Sequence, residues 1–144
     1  MVLIIKTKWN QEIVGSLAEA AATELKNAGI KSEIIEVNGA LEIPLAIKWA
    51  WANAQRKQTA LDGIIACGCV IKGETYHFEV VANESSRAVT ELSVQLNLPI
   101  ANAILTVYDK EQAIARTKGD KNKGVDAAYA ILGMLNLKKE KEFI

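Results

Sequence analysis

The chain has few of the residues that build metal sites and disulfide frameworks, with one histidine and two cysteines in 144 residues. Cys67 and Cys69 lie two positions apart in one apolar run, where side chains on the same face of a strand are badly placed to bridge each other. One histidine and two cysteines are also too few ligands for a metal site of the His/Cys type. We therefore expect buried, reduced thiols and no bound metal.

An excess of charge of either sign is also absent, because seventeen basic residues balance seventeen acidic ones. Such a chain lacks the electrostatic field that holds nucleic acid or an anionic membrane, so neither is an expected partner. No apolar run approaches the ~18 residues of a membrane-spanning helix, and the N-terminal run reaches Lys6 without a cleavage-like site. The sequence thus predicts a cytoplasmic protein, folded as a single domain over residues 1–144.

What the chain does have is a regular alternation of apolar runs with segments of helical periodicity. The apolar runs predict strands at residues 2–5, 32–37, 62–71 and 100–107. The other segments predict helices at residues 11–28, 42–56, 77–97, 110–116 and 125–137. Strands that alternate with helices favour a parallel sheet covered on both faces, so the predicted fold is α/β, a three-layer α/β/α sandwich.

Some residues predict where helices begin and end. Asn10 and Asp109 are good N-caps, Gly29 is suited to end the first helix, and Pro44 is tolerated in the first turn of the second. The charged residues 138–144 predict a solvated or fraying tail.

The most informative stretch runs from Gly68 to Glu79 and reads Gly-Cys-Val-Ile-Lys-Gly-Glu-Thr-Tyr-His-Phe-Glu. An apolar strand breaks at Gly73, where backbone can approach a ligand closely. The amides around Glu74 and Thr75 would lie at a helix N-terminus, which favours a bound anion. His77 beside them is suited to carry a proton near pH 7, although a lone histidine at a helix start is often only a cap or a surface residue.

The predicted fold brings this stretch together with the ends of the three other strands. Ligands bind parallel sheets at the carboxyl ends of the strands, which here fall near residues 9–10, 39–42, 72–77 and 106. The unusual residues therefore collect where the fold is expected to have its pocket.

Four groups of motifs make the chain resemble one family, and they cover nearly its whole length in order. They are Asn38-Gly-Ala-Leu-Glu-Ile-Pro44, the block from Gly68 to Phe78, Ile104-Leu-Thr106 with Glu111-Gln-Ala113, and Asn122-Lys-Gly124. Together they are similar to the 6,7-dimethyl-8-ribityllumazine synthase family. The block from Gly68 to Phe78 is highly specific, whereas the other motifs would be weak alone.

The resemblance implies an activity, a fold and an assembly. The family condenses 5-amino-6-(D-ribitylamino)uracil with 3,4-dihydroxy-2-butanone 4-phosphate, giving the lumazine, phosphate and water in the penultimate step of riboflavin synthesis. It uses no metal or organic cofactor. Its flavodoxin-like sandwich surrounds a four-stranded parallel sheet, its subunits form pentameric rings, and its active sites lie between neighbouring subunits. Riboflavin synthase is a further candidate partner.

The resemblance also implies roles for single residues. Trp9 would stack on the pyrimidine, His77 would transfer protons and Arg116 would pair with the substrate phosphate. The other matched positions would form the ribityl, pyrimidine and phosphate subsites: Ala40, Leu41 and Glu42; Cys69, Val70 and Ile71; Glu74 and Thr75; and Lys123. From the residues alone, the same positions could also be core, interface or surface residues.

Two departures from the family pattern matter. Asn102 lies where many members have a phenylalanine beside the pyrimidine, and an amide can hydrogen-bond a uracil edge but cannot stack on it. Residues 118–123 form a shortened, altered version of the turn found in shell-forming members, which favours an isolated homopentamer over a sixty-subunit shell. A flavin- or lumazine-binding protein without activity, and an assembly subunit with a vestigial pocket, remain alternatives.

Overall fold

Four apolar runs form one parallel sheet in a computed structural model that describes residues 1–144. The strands are β1 (Val2–Thr7), β2 (Ser32–Val37), β3 (Gly63–Ile71) and β4 (Ile100–Val107). Their spatial order is β2-β1-β3-β4, and every neighbouring pair is parallel. The chain therefore builds the sheet outward from β1 to one side and then to the other, which leaves β2 and β4 as the edges.

Five helices cover the sheet. They are α1 (Gln11–Asn27), α2 (Ile43–Lys57), α3 (His77–Leu96), α4 (Lys110–Ala115) and α5 (Lys123–Glu140). Short 3₁₀ turns occupy Ala40–Glu42 and Gly119–Lys121. The predicted three-layer α/β/α sandwich with a four-stranded parallel sheet is confirmed. No helix combines the length and the apolar character that crossing a membrane requires.

Two separate cores hold the layers together, because successive side chains of a strand point to opposite faces of the sheet. In β1, Val2 and Ile4 join a core shared with α1, α4 and α5. Leu3 and Ile5 join a second core shared with α2 and α3. All four side chains are nearly or fully buried. We call the two sides of the sheet the α1 face and the α2 face.

The predicted end of α1 at Gly29 and the predicted N-cap of α4 at Asp109 are confirmed. At the end of α1, Gly29 has a φ of 78°, and Ile30 donates its N–H to the carbonyl of Leu25 across 2.9 Å, as expected for a glycine that ends a helix. At the start of α4, the Asp109 side chain accepts the N–H of Gln112.

Asn10 precedes α1 but does not cap it as predicted. Its backbone is left-handed, with φ 56° and ψ 52°, and its side chain forms no capping hydrogen bond. Instead its backbone carbonyl accepts the N–H groups of Ile13 and Val14, each across 2.9 Å. The tight turn out of β1 needs this conformation, which asparagine adopts more readily than most residues.

The tail predicted after residue 137 is solvated as expected, since residues 138–144 are all exposed, but its first part extends α5. Helix α5 continues to Glu140, since lysines are good helix formers and stabilise a last turn. Beyond it the chain folds back. Phe143 donates its N–H to the carbonyl of Lys138, and the Asn97 side chain donates to the carbonyl of Ile144 across 3.1 Å.

Candidate active site

A cleft of about 670 Å³ opens at the carboxyl ends of β1 and β3 and beside the turn that follows β2. The order β2-β1-β3-β4 explains its position, because connections leave β1 and β3 in opposite directions and open a crevice between them. Its volume is within the range of ~300–1,000 Å³ that small-molecule sites occupy.

Eight residues that the sequence singled out line this one cleft: Trp9, Ala40, Leu41, Glu42, Cys69, Val70, Ile71 and His77. Asn10 and Gly39, from the predicted strand ends, line it as well. Two lining residues were not predicted. Val81 follows His77 by four positions and so shares its helix face, which the sequence could have indicated. Thr7 is a buried polar residue at the end of β1, and its burial had no sequence signal.

Trp9 lies in a three-residue turn, Lys8–Asn10, between β1 and α1. The N–H of Lys8 extends the sheet by donating to the carbonyl of Val37 across 3.0 Å. The Trp9 side chain is 72% exposed although it lines the cleft. An indole that is so little covered by its own chain can cover a planar ring that enters the cleft.

The turn after β2 supplies the opposite wall. Residues 40–42 form the 3₁₀ turn, in which the N–H of Glu42 donates to the carbonyl of Gly39 across 3.1 Å. Ala40 is buried against the second core, while Leu41 and Glu42 are exposed toward solvent. Pro44 lies in the first turn of α2, as predicted. Backbone groups and one carboxylate are therefore presented to the cleft.

The end of β3 forms the floor with Cys69, Val70 and Ile71. Both cysteines are free and buried, which confirms the expected thiols. Burial raises the pKa of the Cys69 thiol, so the group is neutral and serves as a small apolar surface. Cys67 lies deeper in the sheet, where burial raises its thiol pKa to about 12 against a smaller opposing effect of Lys6.

His77 is the first residue of α3, and its imidazole lines the cleft. Its backbone N–H lies 3.4 Å from the Thr75 hydroxyl, at the long limit for a hydrogen bond. The imidazole itself has no hydrogen-bond partner within the chain, so both ring nitrogens can serve a ligand. Glu74 and Thr75 are exposed in the preceding turn and do not line the cleft.

No lysine or arginine side chain lines the cleft, although anions were expected there. Arg116 and Lys123 lie elsewhere, around the turn between α4 and α5, and both are exposed. The Arg116 guanidinium donates to the carbonyl of Gln112 across 2.8 Å and forms no ion pair. Lys123 pairs with Asp126 across 2.9 Å.

Asn102 also lies outside the cleft, on the edge strand β4. Its side-chain oxygen accepts the N–H of Ile104 across 2.8 Å, and its amide nitrogen lies 3.4 Å from the Ser86 hydroxyl of α3. The side chain is exposed, so its second face is open to a ligand or another chain. Asn102, Arg116 and Lys123 therefore form a second group of predicted residues, apart from the cleft of the same chain.

Comparison with known proteins identifies relatives over almost the whole chain. The family model described as 6,7-dimethyl-8-ribityllumazine synthase matches residues 1–139. A 6,7-dimethyl-8-ribityllumazine synthase of Agrobacterium fabrum is 48% identical over 139 residues, which are 96% of this chain and 94% of the relative. One of Bartonella bacilliformis is 49% identical over 138 residues, 95% of this chain and 89% of the relative. By these matches, and as its motifs predicted, the chain belongs to the 6,7-dimethyl-8-ribityllumazine synthase family.

Proposed function

We propose that this protein, as a single domain over residues 1–144, condenses 5-amino-6-(D-ribitylamino)uracil with 3,4-dihydroxy-2-butanone 4-phosphate to form 6,7-dimethyl-8-ribityllumazine. Membership of an enzymatic family supports the reaction. The observation that carries it for this chain is the cleft, which gathers an exposed indole, a carboxylate, a strand end and the one imidazole around a volume of about 670 Å³.

The pyrimidine is the substrate that suits the cleft best. Its ring stacks on Trp9, and its polar edges and ribityl hydroxyls meet the backbone groups of residues 40–42 and the end of β3. Glu42 supplies a carboxylate that accepts hydrogen bonds from the ribityl hydroxyls. Holding the pyrimidine in register with a second reactant can lower the barrier by several kcal/mol, because intramolecular reactions reach effective molarities of ~10⁵ M or more.

The chemistry then needs proton transfers more than a strong nucleophile. The amine on the pyrimidine attacks the ketone and forms an imine with loss of water. Phosphate leaves next, and the nitrogen that bears the ribityl chain closes the second ring with loss of another water. His77 lies at the N-terminus of α3, and neither of its ring nitrogens has a hydrogen-bond partner, so it can accept and return protons in these steps.

The phosphate requires a cation that this chain's own cleft lacks. We propose that a second copy supplies it, so that Arg116 of one protomer faces the cleft of its neighbour. A guanidinium suits a phosphate dianion because it donates two parallel hydrogen bonds. Arg116 is exposed and unpaired within its own chain, as this role demands.

The remaining predicted residues fit the same shared site. Glu74 and Thr75 offer backbone N–H groups at the start of α3, where a phosphate is favoured. Lys123 and Asn102 come from the neighbouring protomer, Lys123 beside Arg116 and Asn102 beside the pyrimidine. A closed ring, a homopentamer, satisfies every such head-to-tail contact without free ends.

Mixing the two substrates with the purified protein tests this function directly. We expect the lumazine, measured by its absorbance, and inorganic phosphate to form in equal molar amounts. A protein that binds a lumazine analogue but yields no product would instead be a binding protein on this scaffold. Analytical ultracentrifugation tests the assembly, for which we expect pentamers, and a strictly monomeric protein with full activity would contradict the shared site.

A further inference from the structure

Three side chains meet behind the turn that carries Trp9, and we call them the Gln11 clamp. The Lys6 ammonium donates to Glu36 Oε2 across 2.6 Å and to Gln11 Oε1 across 2.8 Å. The Gln11 amide nitrogen donates to Glu36 Oε2 across 3.0 Å. The clamp therefore joins β1, β2 and the first residue of α1.

The clamp lies on the α1 face of the sheet, away from the cleft. Lys6 alternates with Ile5 and Thr7, and Ile5 belongs to the core on the α2 face. None of the three clamp residues lines the cleft, whereas Thr7 does. An effect of the clamp on a ligand therefore passes through the backbone, either that of the turn or that of Thr7, whose carbonyl oxygen lies 3.4 Å from the Gln11 amide nitrogen.

Gln11 provides that connection. Its amide nitrogen also donates to the carbonyl of Lys8 across 2.8 Å, which spans the turn from its far side. Trp9 itself is 72% exposed and forms no hydrogen bond, so its own contacts do little to hold its position. The next residue, Asn10, has a positive φ of 56°, which a loosened turn can relax.

We propose that Gln11, held by Lys6 and Glu36, is a positioning residue that fixes the Lys8–Asn10 turn and so places Trp9 over the cleft. The inference rests on the proposed function for the consequence in catalysis, but its structural part concerns the turn alone. The substrate affected is the pyrimidine, since Trp9 is the group that stacks on it. The phosphorylated substrate is contacted elsewhere and is not affected.

The test uses Gln11→Met, which keeps the length of the side chain and removes its hydrogen bonds. Trp9 is observed in a Trp49→Phe, Trp51→Phe background, in which it is the single tryptophan. Without ligand, we expect lower fluorescence anisotropy of Trp9 in Gln11→Met. With substrates, we expect the KM for the pyrimidine to rise roughly three- to tenfold, the scale of one lost hydrogen bond, with the KM for the butanone phosphate unchanged. Glu36→Leu should lower the anisotropy in the same way.

Gln55→Met is the matched control, because Gln55 is an exposed glutamine of α2 with no side-chain hydrogen bond. It should change neither the anisotropy nor either KM. Unchanged anisotropy in Gln11→Met would overturn the proposal, as would an equal rise in both KM values together with a lower Tm, which would indicate a merely structural role. If wild-type protein forms no product, the proposed function fails, and a lowered Trp9 anisotropy in Gln11→Met still supports the positioning of the turn.

Discussion

The backbone N–H of Lys123 donates to the carbonyl oxygen of Arg116 across 2.9 Å, which binds the start of α5 to the end of α4. Two exposed cations, Arg116 and Lys123, are thus joined through their backbones. Asn122, between them, is buried and holds the segment with its side chain. Its side-chain oxygen accepts the N–H of Gly124 across 2.7 Å, and its amide nitrogen donates to the carbonyl of Thr117 across 2.9 Å. In the proposed shared site, this corner of one protomer would face the cleft of the next.

Replacing the Arg116 guanidinium should affect the binding of one substrate and not that of the other. For Arg116→Gln we expect the KM for the butanone phosphate to rise about 10- to 100-fold, because a hydrogen-bonded charge contributes ~1.5–3 kcal/mol. The KM for the pyrimidine should change little. Arg56→Gln is the control, since Arg56 is also exposed but bonds only to Asn53 on its own helix. Steady-state kinetics with each substrate varied in turn gives the answer, and an unchanged KM for the phosphate would refute the assignment.

Removing the imidazole should slow turnover without abolishing it. His77→Ala should lower kcat by roughly 10²-fold, the usual scale of general acid–base catalysis, while positioning of the substrates persists. Single-turnover absorbance of the lumazine measures this step without product release. A His77→Ala protein with full turnover would exclude His77 from proton transfer.

Gly124 should be essential for packing rather than for chemistry. A Cβ atom at this position would lie 1.9 Å from the Leu17 carbonyl oxygen, so α5 could not approach α1. We expect Gly124→Ala to reduce the free energy of unfolding by about 1–3 kcal/mol or more, as overpacked cores do.

Gly133→Ala is the paired control in the same helix, because nothing lies within 4 Å of its Cβ position. Alanine there should stabilise the protein by about 0.5–1 kcal/mol. Urea unfolding of both variants tests the pair. Equal effects of the two substitutions would contradict the close approach of α1 and α5 at Gly124.

The buried thiol of Cys67 should make the protein less stable in alkali. Burial raises its pKa from the ordinary 9.0 to about 12. Above pH 9 the unfolded chain therefore loses this proton while the folded chain keeps it. Stability must fall as pH rises toward 12, by up to ~1.4 kcal/mol per pH unit from this group.

The comparison with Cys67→Ala isolates this group from the lysines and tyrosines that titrate in the same range. The difference in unfolding free energy between wild type and variant should be constant below pH 8 and should shrink above pH 9. Urea titrations at a series of pH values supply it. A difference that stays constant up to pH 11 would show that the folded thiol ionises normally.

Local sequence patterns predicted the fold and the strand ends that line the cleft. The apolar runs of β1 to β4 and the breaks after them were explicit in the sequence, and the end of each strand fixed where its neighbours would meet. The prediction that Asn10 caps α1 was wrong because asparagine is favoured both as an N-cap and in the left-handed conformation, and the sequence does not distinguish the two. The end of α5 was placed too early because residues 138–140 were assigned to the charged tail although lysines are good helix formers. The contact of Asn97 with Ile144 had no local signal, because it joins residues far apart in the chain.

Local sequence patterns predict only part of the candidate site. Thr7 lines the cleft because the register of β1 against β2 and β3 places it there, which no local pattern specifies. Arg116 and Lys123 were identified by family resemblance, and nothing within the protomer explains why they should contact a ligand. In the proposed shared site, a second copy of the chain gives these cations a role.

Mixing two variants tests that shared site most directly. His77→Ala damages the cleft, and Arg116→Gln removes the cation that the neighbouring protomer is proposed to supply. When the two proteins are unfolded together and refolded as mixed rings, about a quarter of the interfaces should combine an intact cleft with an intact cation, because each protomer is drawn at random. At a butanone phosphate concentration well below the wild-type KM, where Arg116→Gln alone is nearly inactive, we predict that lumazine synthesis recovers to about a quarter of the wild-type rate. No recovery above the two separate variants, in rings shown to be mixed, would contradict an active site built from two protomers.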